Sequence, residues 1–362
     1  MIPVLHLRQG AALYGADRAV LALGSATVAP YQALVGAIAR PGTPDDLGDE
    51  ARRRGLQAFR FDSAKRFDLT CARAIARIAR ERGVKLLHAH DFKALFVGLI
   101  AGFLAHIPVV ATFHGDTGST RAVRLYEGFA RFLGNFTRGV VAVSRTLETK
   151  LRRTIRRVPV SFVPNGLPAV TAISAEERAE ARDRFQVTGY CIAVIGRLSV
   201  EKGHQTLLAA LQPGMTLLVA GDGPLREELT KAATGLDVRF LGYLDNARPV
   251  LAAADVIAMP SLTEGLPLTA LEALALGRCL VASAVGELPD LLGGGAGVLV
   301  PPGDAQALSE ALRTLRTAAS RARIEASAVE RAARYGAATM ASSYVELYER
   351  ALSVSSSSKS SP

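Results

Sequence analysis

At 362 residues the chain exceeds what one ordinary hydrophobic core organises and fits two domains of comparable size. With 49% hydrophobic and 21% charged residues it is not a disordered chain, and its three cysteines, at 71, 191 and 279, are spaced too widely for a disulfide or zinc scaffold and point to a reduced compartment. The formal charge of +10 is uneven: residues 1–168 carry 25 Lys and Arg against 12 Asp and Glu, the remainder 18 against 21, so the front half offers a basic surface suited to an anionic membrane, a lipid-phosphate or polyanionic acceptor, or nucleic acid.

The first residues lack the basic and long apolar regions of a secretory signal, so no export is expected. Apolar runs bounded by Gly, Pro or polar residues predict strands at 4–7, 34–38, 86–88, 109–113, 140–143 and 160–163, with helices between several of them, such as 70–82. The longest apolar stretch, 94–113, has about the length of a membrane span, but His106-Ile107-Pro108 interrupts it, and it reads as a helix over 92–104 and a buried strand. The linker Pro164-Asn165-Gly166-Leu167-Pro168 follows. The pattern then begins again, with strands at 191–195, 216–220, 238–241, 256–259, 280–282 and 297–300, a helical stretch at 307–332 and a closing helix at 338–352. Alternating strands and helices indicate α/β architecture: two Rossmann-like doubly wound parallel-sheet domains, 1–168 and 169–337, facing a central cleft. The Ser-rich tail, 353–362, reads as disordered.

Glu264 and Glu272 stand seven residues apart in an otherwise apolar segment, Ser261 to Cys279. A carboxylate in such surroundings needs donor-rich partners, and sugar hydroxyls fit. Glu264 falls in a loop after the strand at 256–259, and Glu272 in a helix read over 269–276. Strand, acidic loop and helix N-terminus form a ligand-site geometry in open α/β sheets, and the backbone amides near Leu268 and Thr269 suit a phosphate. A helix-capping acid and a surface acid would show the same spacing.

Gly196-Arg197-Leu198-Ser199-Val200-Glu201-Lys202-Gly203 follows another strand and opens a helix read over 204–211, which puts two cations suited to a diphosphate at a strand's C-terminal end. Gly221-Asp222-Gly223-Pro224 and Phe240-Leu241-Gly242-Tyr243-Leu244 are turn signals. Gly10 and Gly15 lie in the first loop, where Gly15 at a helix start permits close approach of a diphosphate. His114 follows the strand at 109–113, and His88-Ala89-His90-Asp91 ends the strand before it. The spacing of the latter pair suggests metal, yet no matching ligand set is evident.

Together these segments resemble the retaining GT-B-fold glycosyltransferases of the family 4 type (glycosyl transferases group 1). The resemblance covers nearly the whole chain and is most specific from Gly196 to Gly277, through the Glu-x7-Glu and Gly-Arg-Leu-x-x-x-Lys-Gly signatures. It implies that Arg197 and Lys202 hold the donor diphosphate and neutralise the leaving group, that Glu264 contacts the donor sugar, that Glu272 binds the ribose, and that backbone groups near Tyr243 and Leu244 read the base. Gly15, Gly265, Leu268 and Thr269 complete the expected donor site. His114 matches a histidine beside the donor sugar and is expected to touch the transition state. The closing helix, in the family, packs back towards the N-terminal domain.

No Asp-x-Asp motif occurs, which fits chemistry without a metal ion or cofactor, with cations and helix dipoles stabilising the leaving diphosphate. Three departures stand out: Cys279 where the family usually has Pro, Ala11 in place of one of paired glycines, and Asp290 where Gly-Gly-x-x-Glu would end in Glu. On the acceptor side, residues 120–139 place Arg121, Arg124, Arg131 and Arg138 opposite Leu125, Phe129, Phe132, Leu133 and Phe136. This is either a surface helix packed on its sheet or an interfacial helix on a membrane. Lys150, Arg152, Arg153, Arg156 and Arg157 add to the basic face.

The expected function is transfer of a hexose-type sugar from a nucleoside-diphosphate sugar to a glycan, lipid-linked or other acceptor in cell-surface polysaccharide or glycoconjugate synthesis. It is placed in the cytoplasm, with peripheral contact to the inner face of the cell membrane an open question and nucleic acid not expected as a partner. A nucleotide-sugar epimerase on the same fold, and a non-catalytic polyanion- or membrane-binding protein with a relict donor site, remain as alternatives.

Overall fold

The computed structural model describes the chain except residues 11, 12, 14, 66, 116–120 and 358–362 and the side chains of 121–123 and 354–357. It divides into two compact units, residues 1–168 with 336–362, and residues 169–335. The first holds seven strands: β1 (Ile2–Gln9), β2 (Tyr31–Ala39), β3 (Gln57–Asp62), β4 (Leu86–Ala89), β5 (Val109–Phe113), β6 (Val140–Ala142) and β7 (Val160–Phe162), all parallel in the order β3-β2-β1-β4-β5-β6-β7. The second holds β8 (Tyr190–Ile195), β9 (Met215–Ala220), β10 (Val238–Gly242), β11 (Val256–Met259), β12 (Cys279–Ser283) and β13 (Val298–Val300), also parallel, in the order β10-β9-β8-β11-β12-β13. The two doubly wound sheets expected from the sequence are therefore both present.

Helices cover both faces of each sheet, which is why the strands read as apolar runs rather than as alternating patterns. In the first unit Leu5, Leu7, Leu87 and Ala89 pack with Ile75, Ala76 and Val97 on one face, while Val4, Leu86 and Val110 pack with Tyr344, Leu347 and Tyr348 on the other. The crossover helices start on side-chain caps: Asp68 accepts from the amides of Thr70 and Cys71, and Asp91 from that of Ala94. The apolar helix Phe92–Ala105 stops at His106, whose φ of 57° is left-handed, before Pro108. No helix among the described residues is long and apolar enough to cross a membrane.

Several elements differ from the sequence reading. β3 was not anticipated, because its Arg60 and Asp62 break the apolar run of an edge strand. The stretch 307–332 is two helices, Ala305–Thr314 and Ala318–Ala332, since Thr317 caps the second by accepting from the Ser320 amide. The closing helix spans Ala337–Ser357, so Ser353 to Ser357 continue it rather than forming a disordered tail, with the Ser353 hydroxyl donating to the Arg350 carbonyl. Residues 358–362 lie outside the described residues. The second unit ends at Tyr335, and the chain rejoins the first where the Ala337 amide donates to the Leu167 carbonyl at 2.7 Å.

In each sheet the strand order reverses once about a central pair, β1 and β4 in the first unit and β8 and β11 in the second. Ligands of open α/β sheets collect outside the carboxyl ends of strands at such a switch point.

Candidate functional site

In the second unit the switch point lies between the loop that leaves β8 and the loop that leaves β11. The first carries Arg197, passes through a 3₁₀ turn, Val200–Lys202, and enters the helix His204–Ala210 at Gly203. That turn was not foreseen. The second runs from Pro260 to the helix Leu268–Ala275. Gly203 has a φ of 65°, and a Cβ there would run into the Pro260 carbonyl oxygen, so only glycine lets the two loops approach this closely.

The approach brings Lys202 Nζ to 2.6 Å from Glu264 Oε1, with the Lys side chain 29% exposed and the Glu side chain 9%. The same oxygen accepts from Ser261 Oγ at 2.7 Å, and Ser261 is buried. Gly286, at the end of β12, supports the loop from behind: its φ is 58° and a Cβ would strike the Glu264 carbonyl oxygen. The Glu287 amide donates to the Gly265 carbonyl at 3.0 Å. Asp290 is exposed on the short helix Leu288–Leu292, whereas Glu287 is buried.

The other expected donor-site residues of this unit lie on the loops and helix that follow β8, β10 and β11. Arg197 is exposed, and its carbonyl accepts from the Ser199 amide at 3.0 Å. The helix Leu268–Ala275 begins without a side-chain cap, so no capping side chain holds the amides of its first turn, Leu268 and Thr269 among them. Leu268 itself is buried, and Glu272 is half-buried in the same helix with contacts of its own. Tyr243 is exposed and Leu244 half-buried just past β10.

In the first unit, Gly15 opens the helix Gly15–Ala26, and a Cβ there would meet nothing within 4 Å, so packing alone does not demand glycine. Ala11, Ala12 and Tyr14 of the same loop, like Asp116 after His114, lie outside the described residues. His114 lines a cavity of about 240 Å³ together with Arg8, Asp91, Tyr126, Glu127 and Arg131. Arg8 donates to Asp17 at 2.9 Å, lies 3.5 Å from Asp91 and donates to the His90 carbonyl.

Behind His114 the sheet assembles three more histidines, His6, His88 and His90. Register pairs His6 of β1 with His88 of β4, and the two-residue period of a strand puts His90 on the same face as His88 and His114 on the same face as Thr112. His88 is hydrogen-bonded through Nδ1 to the Tyr348 hydroxyl and through Nε2 to Thr112 Oγ1, both at 2.8 Å. His6, His88 and His90 have nitrogens close enough for one metal ion, but both nitrogens of His88 are already hydrogen-bonded, to Tyr348 and Thr112, which leaves it no lone pair to turn towards a shared ion. Burial lowers His6 to about 4 and, with Arg8's charge, His114 to about 3. His6, Thr112, Tyr344 and Tyr348 were not singled out in the sequence, because their contacts arise from strand register and from a helix more than 200 residues away in the chain.

The amphipathic segment forms the helix Arg121–Gly134 and ends earlier than expected, where Asn135 donates to the carbonyls of Arg131 and Phe132. Ala130 and Leu133 pack inwards. Leu125, Phe132 and Phe136 are 77%, 56% and 52% exposed, and neighbouring Phe103 is 81% exposed. Phe132 and Phe136 contact each other at 5.3 Å, and Arg157 lies over Phe136.

Two parallel Rossmann-like units, with a paired cation and carboxylate at the second switch point, define a GT-B glycosyltransferase. Comparison with known proteins agrees. The family profile of glycosyl transferases group 1 matches residues 166–317 and that of glycosyltransferase family 4 matches residues 15–169. The chain is 32% identical over 279 residues, 73% of each chain, to a phosphatidyl-myo-inositol mannosyltransferase of Mycobacterium leprae. It is 31% identical over 305 residues, 74% of this chain and 71% of the other, to a 2-deoxystreptamine N-acetyl-D-glucosaminyltransferase of Streptomyces fradiae. Its fold is similar to that of Anabaena HepE in complex with UDP-glucose, with a TM-score of 0.86, 24% identity and coverage of 96% and 100%. The chain belongs to the family 4 type of GT-B glycosyltransferases.

Proposed function

We propose that the protein is a retaining, metal-independent glycosyltransferase that moves a hexose-type sugar from a nucleoside-diphosphate sugar to a glycan or lipid-linked acceptor, in cell-surface polysaccharide or glycoconjugate synthesis. The observation that carries this reading is the Lys202–Glu264 pair at the β8/β11 switch point. A cation for phosphate and a carboxylate for sugar hydroxyls, held side by side, suit the two ends of a sugar–phosphate bond.

In this reading Lys202 and Arg197 neutralise the diphosphate, the amides of Leu268 and Thr269 receive its oxygens, and Glu264 accepts from sugar hydroxyls, with Ser261 fixing its rotamer. Glu272 takes the ribose, and backbone at Tyr243 and Leu244 the base. The bond between the anomeric carbon and the phosphate oxygen breaks with its electron pair leaving on the phosphate. The acceptor oxygen bonds to that carbon from the same face, and its proton passes to the departing phosphate oxygen. No cofactor takes part. The relative from Mycobacterium leprae is named a phosphatidyl-myo-inositol mannosyltransferase, which supports a lipid-linked acceptor, and the cavity beside His114 supports an acceptor site in the basic unit.

The exposed Leu125, Phe132, Phe136 and Phe103, with Arg157 over Phe136, support a further element, peripheral contact with an anionic membrane surface. Turnover of nucleotide sugars in the presence of membrane extracts tests the proposal. Transfer of labelled sugar to an extractable acceptor is expected, whereas sugar interconversion with donor alone would favour an epimerase.

A further inference from the structure

His90 is hydrogen-bonded at both ring nitrogens to other imidazoles: its Nε2 lies 3.1 Å from His6 Nδ1, and its Nδ1 lies 3.2 Å from His114 Nε2. The far nitrogens of this chain, His6 Nε2 and His114 Nδ1, are buried and have no hydrogen-bond partner among the described residues.

A neutral imidazole carries one N–H and one lone pair. His90 can donate at only one end and must accept at the other, so the three tautomers are locked together. Two states satisfy both contacts. In one, every ring is protonated at Nε2: His114 donates to His90, His90 donates to His6, and His114 Nδ1 is a lone pair. In the other, every ring is protonated at Nδ1 and His114 Nδ1 becomes a donor. Burial keeps all three rings neutral at ordinary pH, so neither state is interrupted by an imidazolium.

The chain has electrical direction, with its N–H end positive and its lone-pair end negative. Arg8 donates to the His90 carbonyl and lines the cavity with His114, so it sits nearer the His114 end. Arg8 is paired there with Asp17 and Asp91, so its charge does not choose between the states, and the Nε2–H state is favoured by the rings themselves. That tautomer is the one a free neutral imidazole prefers.

We propose that His90 and His6 are positioning residues that fix His114 as the Nε2–H tautomer, so that His114 Nδ1 is a hydrogen-bond acceptor for a hydroxyl of the bound sugar or acceptor. The part that concerns the sugar rests on the glycosyltransfer reading above, while the tautomer chain does not. His88 stands outside the chain: its nitrogens are held by Tyr348 and Thr112, and its ring lies 3.9 Å from that of His90 at a tilt of 35°.

The test is a long-range proton–nitrogen-15 correlation spectrum of the imidazoles in the full-length protein, assigned with single His variants. The expected result is that His6, His90 and His114 are all Nε2–H. His114 found as Nδ1–H, or the three rings in mixed tautomers, overturns the proposal without any variant having to fold. His90→Phe should release His114 to a mixture of tautomers and lower kcat by about 10-fold or more with nucleotide affinity unchanged. His90→Asn, whose Oδ1 can stand at the Nδ1 position and accept from His114, should restore the tautomer and much of the rate. A His114 tautomer unchanged in His90→Phe would also overturn it. If the spectrum is as expected and no sugar is transferred by the wild type, the glycosyltransfer reading fails and the chain stands.

Discussion

Lys202 Nζ lies 2.6 Å from Glu264 Oε1 across two loops that leave different strands of one sheet. The pair is partly buried, so each charge depends on the other, and removing one leaves a desolvated partner behind. A ligand with a phosphate and sugar hydroxyls can satisfy both groups at once.

Glu264→Gln keeps the shape of the side chain and removes its charge. A hydrogen bond to a charged group contributes about 1.5–3 kcal/mol, so kcat/KM for transfer should fall by roughly 10- to 150-fold. Nucleoside diphosphate, which lacks the sugar, should bind with little change. Steady-state kinetics with a labelled donor reads the first and calorimetry the second.

Gly203→Ala forces a left-handed φ on alanine and drives its Cβ against the Pro260 carbonyl, so stability should drop by about 1–3 kcal/mol, with donor affinity falling too. Gly15→Ala meets open space and should leave the melting temperature nearly unchanged. Thermal melts of both variants, each with and without nucleotide, check the contrast.

Burial lowers His6 and His204 to about 4 and His114 to about 3, and lowers His88 and His90 strongly. Between the unfolded value near 6.5 and these folded values the unfolded chain holds more protons, so stability is full above about pH 6.5 and is lost as pH falls. Each such histidine adds a slope of up to about 1.4 kcal/mol per pH unit. Denaturant midpoints measured from pH 8 to pH 4.5 should fall most steeply below pH 6.

Leu125→Glu with Phe132→Glu should abolish binding to vesicles rich in anionic lipid with only a small fall in the melting temperature, since Leu125 faces solvent and Phe132 is more than half exposed although it touches Phe136. Binding should weaken as salt rises. Equal binding to uncharged vesicles would contradict the electrostatic part of the membrane proposal.

Both sheets were legible in the sequence because doubly covered strands are apolar throughout, as in β11 and β12, where every residue is buried. β3 was hidden by the polar residues that an edge strand tolerates. Lys202 and Glu264 were named from their motifs, but their contact, spanning 62 positions, depends on strand order and on the absence of a Cβ at Gly203, neither of which spacing reveals. His88 and His90 were visible as a pair; His6 joined them only through the β1–β4 register, and the Tyr348 contact only through the returning helix.

The most direct measurement is calorimetric titration of wild type, Lys202→Ala and Glu264→Gln with UDP, GDP, ADP and their sugar conjugates in the presence of a chelator. The expected result is metal-free binding of one nucleoside diphosphate and its conjugate by the wild type, at least a 10-fold loss of both in Lys202→Ala, and loss of the conjugate's added affinity alone in Glu264→Gln. Equal affinities in all three proteins, or no binding by the wild type, would contradict a donor site at this pair.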